Sequence, residues 1–212
     1  MSAPAGWQQP PPPGWGHPPK KNKGPVVAVL IVAGMLAAGV SAVGWLYVQT
    51  HRDHGTPPGA EALPAKCDAI GQDTLQRMRV TNPIASSSSH VESPDASATS
   101  CNWGQTEGRD GDGRRSLNVW IRTYREERLA EQELVAFEQS GSSVEKTGEG
   151  AITVGKGGSS FTTVSYAVRS GGRYVRIDYS GWDAGLLSAK QPDVEEWKKL
   201  VSQAAAQVFA KS

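Results

Sequence analysis

Histidine and cysteine are scarce in this chain of 212 residues, four and two respectively. His17 lies in a proline-rich leader, His51 and His54 directly follow a long apolar run, and only His90 falls in the remainder. Positioned histidines are the commonest general acids and bases, and zinc sites need several His or Cys ligands. A Ser-His-Asp hydrolase would have to rest on His90 alone, in a serine-rich stretch with little to hold it rigid. An excess of one charge is missing too. The formal net charge is +1, and from Cys67 onward 17 Lys+Arg stand against 19 Asp+Glu. A faintly acidic segment has no electrostatic reason to seek a phosphate backbone, so no nucleic acid is expected as partner.

What the chain does contain is a stretch without charge. Residues 25–48 hold no Asp, Glu, Lys or Arg, and only Ser41 and Tyr47 bear hydroxyls. A helix of that length spans about 36 Å, enough for a hydrocarbon core of about 30 Å. Trp45 and Tyr47 sit at its far end, where amphipathic rings favour the interface. Lys20, Lys21 and Lys23 precede the run, whereas Arg52 is offset by Asp53. Basic flanks stay in the cytoplasm, so a single-pass anchor with its C-terminal part outside the cell membrane is predicted. The alternative is a cleaved signal peptide, because Val40-Ser41-Ala42 offers cleavage-like small residues. Signal cores run about 7–15 residues, and this run continues past Ala42 to Val48, which favours the anchor. Gly34, Ala38 and Ala42 recur every fourth residue, a weak stripe for helix self-association in the bilayer.

The flanks of the span are polar. Residues 1–24, with Pro10 to Pro13 and Gly14-Trp15-Gly16, are too poor in apolar side chains to order and favour polyproline II. They form either a docking segment for an aromatic groove or a solvated leader. Residues 49–66 read as a proline-bearing tether.

Residues 67–212 alternate helical and strand periods. A short helix over 68–78 presents Ile70, Leu75 and Met78, and residues 81–99, with Ser86 to Ser89 consecutive, read as a long mobile loop. In 116–124, Leu117, Val119 and Ile121 alternate with Asn118, Trp120 and Arg122, a strand period. Residues 126–139 are helical through Ala130, Leu134 and Phe137. Segments 161–168 and 173–179 are strands joined by Ser170-Gly171-Gly172, which has tight-turn chemistry. Residues 193–210 form the best helix outside the membrane. Asp193 and Glu196 have capping-box spacing there, and Val194, Trp197, Leu200, Val201, Ala204, Val208 and Phe209 share one face. Trp103, Trp120 and Trp197 fall where a core is expected, and Trp182 where exposure is. Hairpin strands with helices at each end and one between them give α+β, an antiparallel sheet covered by helices.

Cys67 and Cys101 both fall on the exported side, where a disulfide is the default pairing. A lipid anchor on Cys67 is disfavoured, because Lys66 stands where a small residue is normally required. Cys67-Asp68-Ala69-Ile70 opening a helix, followed by Cys101-Asn102-Trp103 leading into a sheet, resembles a domain of unknown function widespread in actinobacterial lipoproteins and secreted proteins. The Pro10–Pro13 tail ahead of an anchor is similar to actinobacterial membrane proteins. The resemblance covers about residues 67–210 and implies a PsbP-like layered fold and a cell-envelope location. It implies no activity. This chain departs from members that carry an N-terminal lipidated cysteine by using a membrane helix.

Two near-motifs fail on chemistry. Gly150-Ala-Ile-Thr-Val-Gly155-Lys156-Gly157 is one residue from a phosphate loop, but lacks the hydroxyl after the lysine and the helix that would follow. It reads as a strand and a glycine turn. Asp110-Gly111-Asp112-Gly113 lacks the further acids of a calcium loop and reads as a turn. Exported acids such as Glu126, Glu127, Glu131, Glu133, Glu195 and Glu196 suit exposed helix faces. No catalytic, cofactor or metal residues are predicted. The expectation is a non-enzymatic binding or interaction module at the envelope, contacting an envelope protein, a wall component or a small ligand. Its contacts would come from the sheet face near Trp120, Tyr166 and Tyr174, or from the 81–100 loop. Alternatives are a regulator signalling through the proline-rich tail and, least favoured, an enzyme with an atypical carboxylate site.

Overall fold

A computed structural model describes residues 24–59, 62–140, 143–158 and 160–211, so residues 1–23 of the proline-rich leader lie outside the described residues. The chain divides into two compact units, Met1–Ala42 and Val43–Ser212. Helix α1 runs Gly24–Thr50. Its segment Val29–Thr50 is long and apolar enough to cross a membrane. Large side chains along it stand open, Leu30 at 66%, Met35 at 70% and Val40 at 73% exposed, which water penalises and lipid does not. The Ser41 hydroxyl donates to the Ala37 carbonyl at 2.8 Å, so this polar group is satisfied within the helix.

The second unit is α+β. Among the described residues, nine strands form an antiparallel sheet: β1 Asn82–Pro83, β2 Ser89–Glu92, β3 Ala96–Gly104, β4 Arg114–Tyr124, β5 Val144–Thr147, β6 Gly150–Gly157, β7 Phe161–Ser170, β8 Arg173–Ala184 and β9 Ala189–Lys190. Their order is β1-β3-β4-β8-β7-β6-β5, with β2 also on β3 and β9 on β8. Helices α2 (Gln72–Arg77), α3 (Glu127–Ser140) and α4 (Val194–Lys211) complete the unit. The alternation read from 116–124 holds. Leu117, Val119 and Ile121 are at most 3% exposed, and pair across the ladder with Tyr179, Ile177 and Val175 on β8. The α4 stripe of Trp197, Val201, Ala204 and Val208 closes this face into the main core. Asp193 caps α4, its Oδ1 accepting the Glu195 and Glu196 amides at 3.0 and 3.2 Å. Gly171, at φ +56°, turns β7 into β8.

Cys67 and Cys101 form a disulfide. It ties a 3-10 turn, Ala65–Ala69, to the middle of β3.

Three segments differ from their sequence reading. The helix expected over 68–78 is broken at Gly71, whose extended backbone (φ −70°, ψ 148°) starts α2 anew. Even so, Ile70, Leu75 and Met78 bury at 4%, 2% and 0% exposure. The 81–99 stretch is largely a hairpin, with Ser89↔Ser100 to Glu92↔Ser97 in register. Ser93-Pro94-Asp95 turns it, the Ser93 hydroxyl accepting the Ala96 amide at 3.1 Å. Serine and threonine hydroxyls supply local turns as readily as disorder, and the alternation is invisible where both faces are polar. Residues 51–59, read as a tether, lie along the sheet domain. Asp53 bridges Gly113, Thr56 bridges Thr106, and Asn82 donates to the Pro57 carbonyl at 3.0 Å.

Candidate functional site

One face of the sheet is sealed by α4. The other is covered in part by α3. Ala130 and Phe137 of α3 pack on Ala151, Ala167 and Tyr174. The helix thus covers the end of the sheet where β4 finishes and β8 begins. Toward the opposite end, the same face carries two successive cross-strand rows. One reads Asn102, Asn118, Asp178, Ser165, Thr153, and the next Gly104, Ser116, Ser180, Thr163, Gly155. Neither row has an apolar side chain beyond the Thr methyl groups. Within these rows Asn102 and Ser165 are buried, at 9% and 7% exposure, and Asn118, Asp178, Thr153, Ser116, Ser180 and Thr163 are half-buried, so the rows are polar and only partly open.

At the border between helix and open rows stands Trp120. It is half-buried and adjacent in the ladder to Arg176. The Arg176 guanidinium lies 5.3 Å from the Trp120 ring and 5.3 Å from the Phe137 ring. It is held there by a two-pronged pair with Asp178, Nε to Oδ1 at 3.0 Å and Nη2 to Oδ2 at 2.9 Å. The indole is therefore held by a cation and shares its face of the sheet with Asn118 and Asp178. The Ser116 and Ser180 hydroxyls lie 2.8 Å apart, either able to donate. Behind Trp120, Arg122 pairs with Glu133, and the Tyr124 hydroxyl donates to the same carboxylate at 2.9 Å, pinning α3 to β4.

The three aromatics named from sequence do not come together. Trp120 is half-buried on the open face and not in the core where its position suggested. Tyr174 shares that face but lies under α3 at 3% exposure, and burial pushes its hydroxyl up to about 12. Tyr166 points to the opposite face, against the main core, as its pairing with Ile177 requires. Residues two apart on a strand share a face, but register between strands decides which faces coincide, and sequence does not give register. The polar rows were missed because each strand contributes only one or two Ser, Thr or Asn. Their alternation with Leu117, Val119, Ile177 and Val164 was the available signal.

The remaining chemical candidates resolve into structure. His90 sits on β2 with Nδ1 2.8 Å from the Thr99 hydroxyl and Nε2 3.3 Å from Glu92, at the edge of the sheet. Asp110, from the calcium-like run, spends its carboxylate on the Thr81 and Thr106 amides at 2.9 and 2.7 Å. That makes it a staple of the turn between β3 and β4. The strand expected over 151–154 is longer: β6 takes in all of Gly150–Gly157, and Gly155 to Gly157, read as a turn, continue the ladder opposite Thr163 to Phe161. No group of three or more His, Cys, Asp or Glu suited to a metal occurs among the described residues.

A surface cleft of about 340 Å³ lies at the far end of the domain, lined by Lys66, Asp68, Arg173 and Lys211 among others. Its cations would suit an anion, but α4 ends there, and C-terminal carbonyls oppose negative charge. Lys211 already donates to the Asp68 carbonyl at 3.3 Å, and Lys66 to the Ser97 hydroxyl at 3.1 Å. The open half-face with its clamped indole is the better site. No protein-family model matches this chain, and searches of curated proteins and of solved structures return no match either.

Proposed function

We propose that the protein is a membrane-anchored, non-enzymatic binding module of the cell envelope, whose ligand lies across the open rows beside Trp120. The leader is cytoplasmic, residues 25–48 span the bilayer, and residues 67–212 stand outside it. The Cys67–Cys101 bond supports an oxidising compartment. A PsbP-like fold and kinship with the actinobacterial envelope domain belong to this proposal and rest on the Cys67-Asp68-Ala69-Ile70 and Cys101-Asn102-Trp103 motifs and the element order. Gly34, Ala38 and Ala42 mark where a second copy of the helix would pack.

The observation that carries the binding reading is the composition of the two open rows. The half-buried hydroxyls of Ser116, Ser180, Thr153 and Thr163, the Asn118 carboxamide and the Asp178 carboxylate, next to one indole held by Arg176, suit a ligand that is long, polar and hydroxyl-bearing. A wall polysaccharide has that chemistry. Its hydroxyls would exchange hydrogen bonds with Asn118, Asp178, Ser116 and Ser180, and one sugar face would stack on Trp120.

The test uses the full chain in nanodiscs and soluble fragments of wall polysaccharide as the probe. Titration calorimetry is expected to show binding that Trp120→Ala and Asn118→Ala each weaken at least about tenfold, by analogy with anchor residues in other interfaces. Glu131→Ala, on the outer side of α3, leaves it unchanged. Retention of full affinity by Trp120→Ala, or no binding by the wild-type chain, would refute the assignment.

A further inference from the structure

We propose that the β8–β9 hairpin, through Leu186 and Leu187, enters the bilayer surface and forms a second membrane contact for the exported domain. The inference rests on the reading of α1 as a membrane span. Leu186 is 78% exposed and Leu187 37%, and both sit in the four-residue loop closed by the Gly185 amide donating to the Ser188 carbonyl at 3.0 Å. No core residue needs them there. Held at a tight turn, Leu186 stands mostly and Leu187 partly in water unless another apolar phase meets them.

Chain path supplies that phase. Helix α1 ends at Thr50, and Asp53 follows within about 10 Å of extended chain. Asp53 bridges Gly113, and a side chain on Gly113 would meet the Trp182 carbonyl at 2.5 Å and the Ala184 amide at 3.3 Å. The His54 ring packs edge-on against Trp182 at 5.1 Å. The polypeptide leaving the bilayer thus lands on the C-terminal end of β8. From there it runs along the sheet, past Asn82 at residues 56–59, to Lys66, whose ammonium donates to Ser97. Ser97 pairs with Thr123, and Thr123 with Arg173, the first residue of β8. The path from Asp53 to Lys66 therefore runs the length of the sheet, from the end of β8 to its start. Strand β8 runs the other way, from Arg173 back to Trp182, and its hairpin continues past the landing point to Leu186. Lys190 is exposed and opposite Asp183 in the hairpin, where its ammonium would meet headgroup phosphates once the leucines insert. An amphipathic element of this kind buries its apolar part about 5–10 Å into the headgroup boundary.

The experiment places an environment-sensitive fluorophore on single cysteines in the full chain, reconstituted in nanodiscs whose lipid carries a spin label near the headgroup. The native cysteines are bonded to each other and do not compete for label. Three variants are compared: Met35→Cys in the span, Leu186→Cys at the hairpin tip and Ser170→Cys at the opposite end of the sheet. Loss of fluorescence at positions 35 and 186 with none at 170 is the expected result. Loss at 35 alone would overturn the hairpin contact and leave the anchor reading standing. No loss at 35 would remove the anchor reading and this inference with it.

Discussion

Reducing the single disulfide gives the sharpest energetic test of how the exported domain is held. Cys67 and Cys101 are separated by 34 residues. In the chain-entropy treatment a loop of that size, once cut, returns about 3.8 kcal/mol of freedom to the unfolded state at 25 °C. The loop contains α2, β1, β2 and half of β3, all of which must re-form without the tie. Urea unfolding of the oxidised and dithiothreitol-reduced full chain, followed by far-ultraviolet circular dichroism, should differ by about 4 kcal/mol. The reduced form should also show a slightly larger m, because its unfolded state exposes more surface. The melting point should fall by roughly 8–15 °C, taking 2–4 °C per kcal/mol for a domain of this size. Replacing both cysteines with alanine should cost about 1–2 kcal/mol more, because both sulfurs are buried, at 3% and 0% exposure, and their removal leaves voids. A difference between oxidised and reduced chains under about 1 kcal/mol would refute the reasoning, since it would mean that residues 68–100 stay organised without the bond.

Three further outcomes are expected. The Arg115 guanidinium is buried, pairs with Asp183, donates to the Trp182 carbonyl and stacks 4.8 Å from Trp197. Arg115→Met should cost about 3 kcal/mol in urea unfolding, since it strips a partly buried carboxylate of its main partner. Burial raises Tyr174 from 10.0 to about 12, so its contribution is complete below pH 10 and disappears as pH climbs toward 12. Stability measured across that interval should decline less in Tyr174→Phe than in the wild type. Asp53 accepts the Gly108 and Gly55 amides at 2.5 and 2.7 Å, and these bonds hold its carboxyl below its usual value of 3.8. The latch is therefore complete above that value and opens as pH falls below it. Amide exchange at Gly55 and Gly108 should be slow at pH 5 and accelerate in Asp53→Asn.

Much of the scaffold was legible where one side of an element is apolar. The 3.6-residue stripe from Val194 to Phe209 and the alternation around Val119 each placed an element to within a few residues. The charge-free run defined α1. Legibility failed where both sides are polar. The β2–β3 hairpin looked like a loop because Ser, Thr and Ala alternate with one another and carry no contrast. Residues 51–59 looked like a linker because their attachment to the domain runs through backbone amides, Asp53 and Asn82, and burial plays little part. Trp120 was placed in the core because an indole on a strand usually goes there. It is half-buried on the face that α3 covers over Ala151, Ala167 and Tyr174, and what a helix covers on a sheet is a tertiary fact. The half-buried rows of Asn118 and Ser116 are likewise assembled across strands, which single-strand patterns do not show.

Topology is the claim on which placement, disulfide and binding face all depend, and one labelling measurement addresses it. Intact cells are treated with a membrane-impermeant amine reagent, and lysine modification is read by mass spectrometry. Lys156, Lys190 and Lys199, all exposed on the domain, should be modified, while Lys20, Lys21 and Lys23 stay protected until the membrane is opened. Modification of Lys20, Lys21 and Lys23 in intact cells, with Lys156, Lys190 and Lys199 protected, would contradict the account.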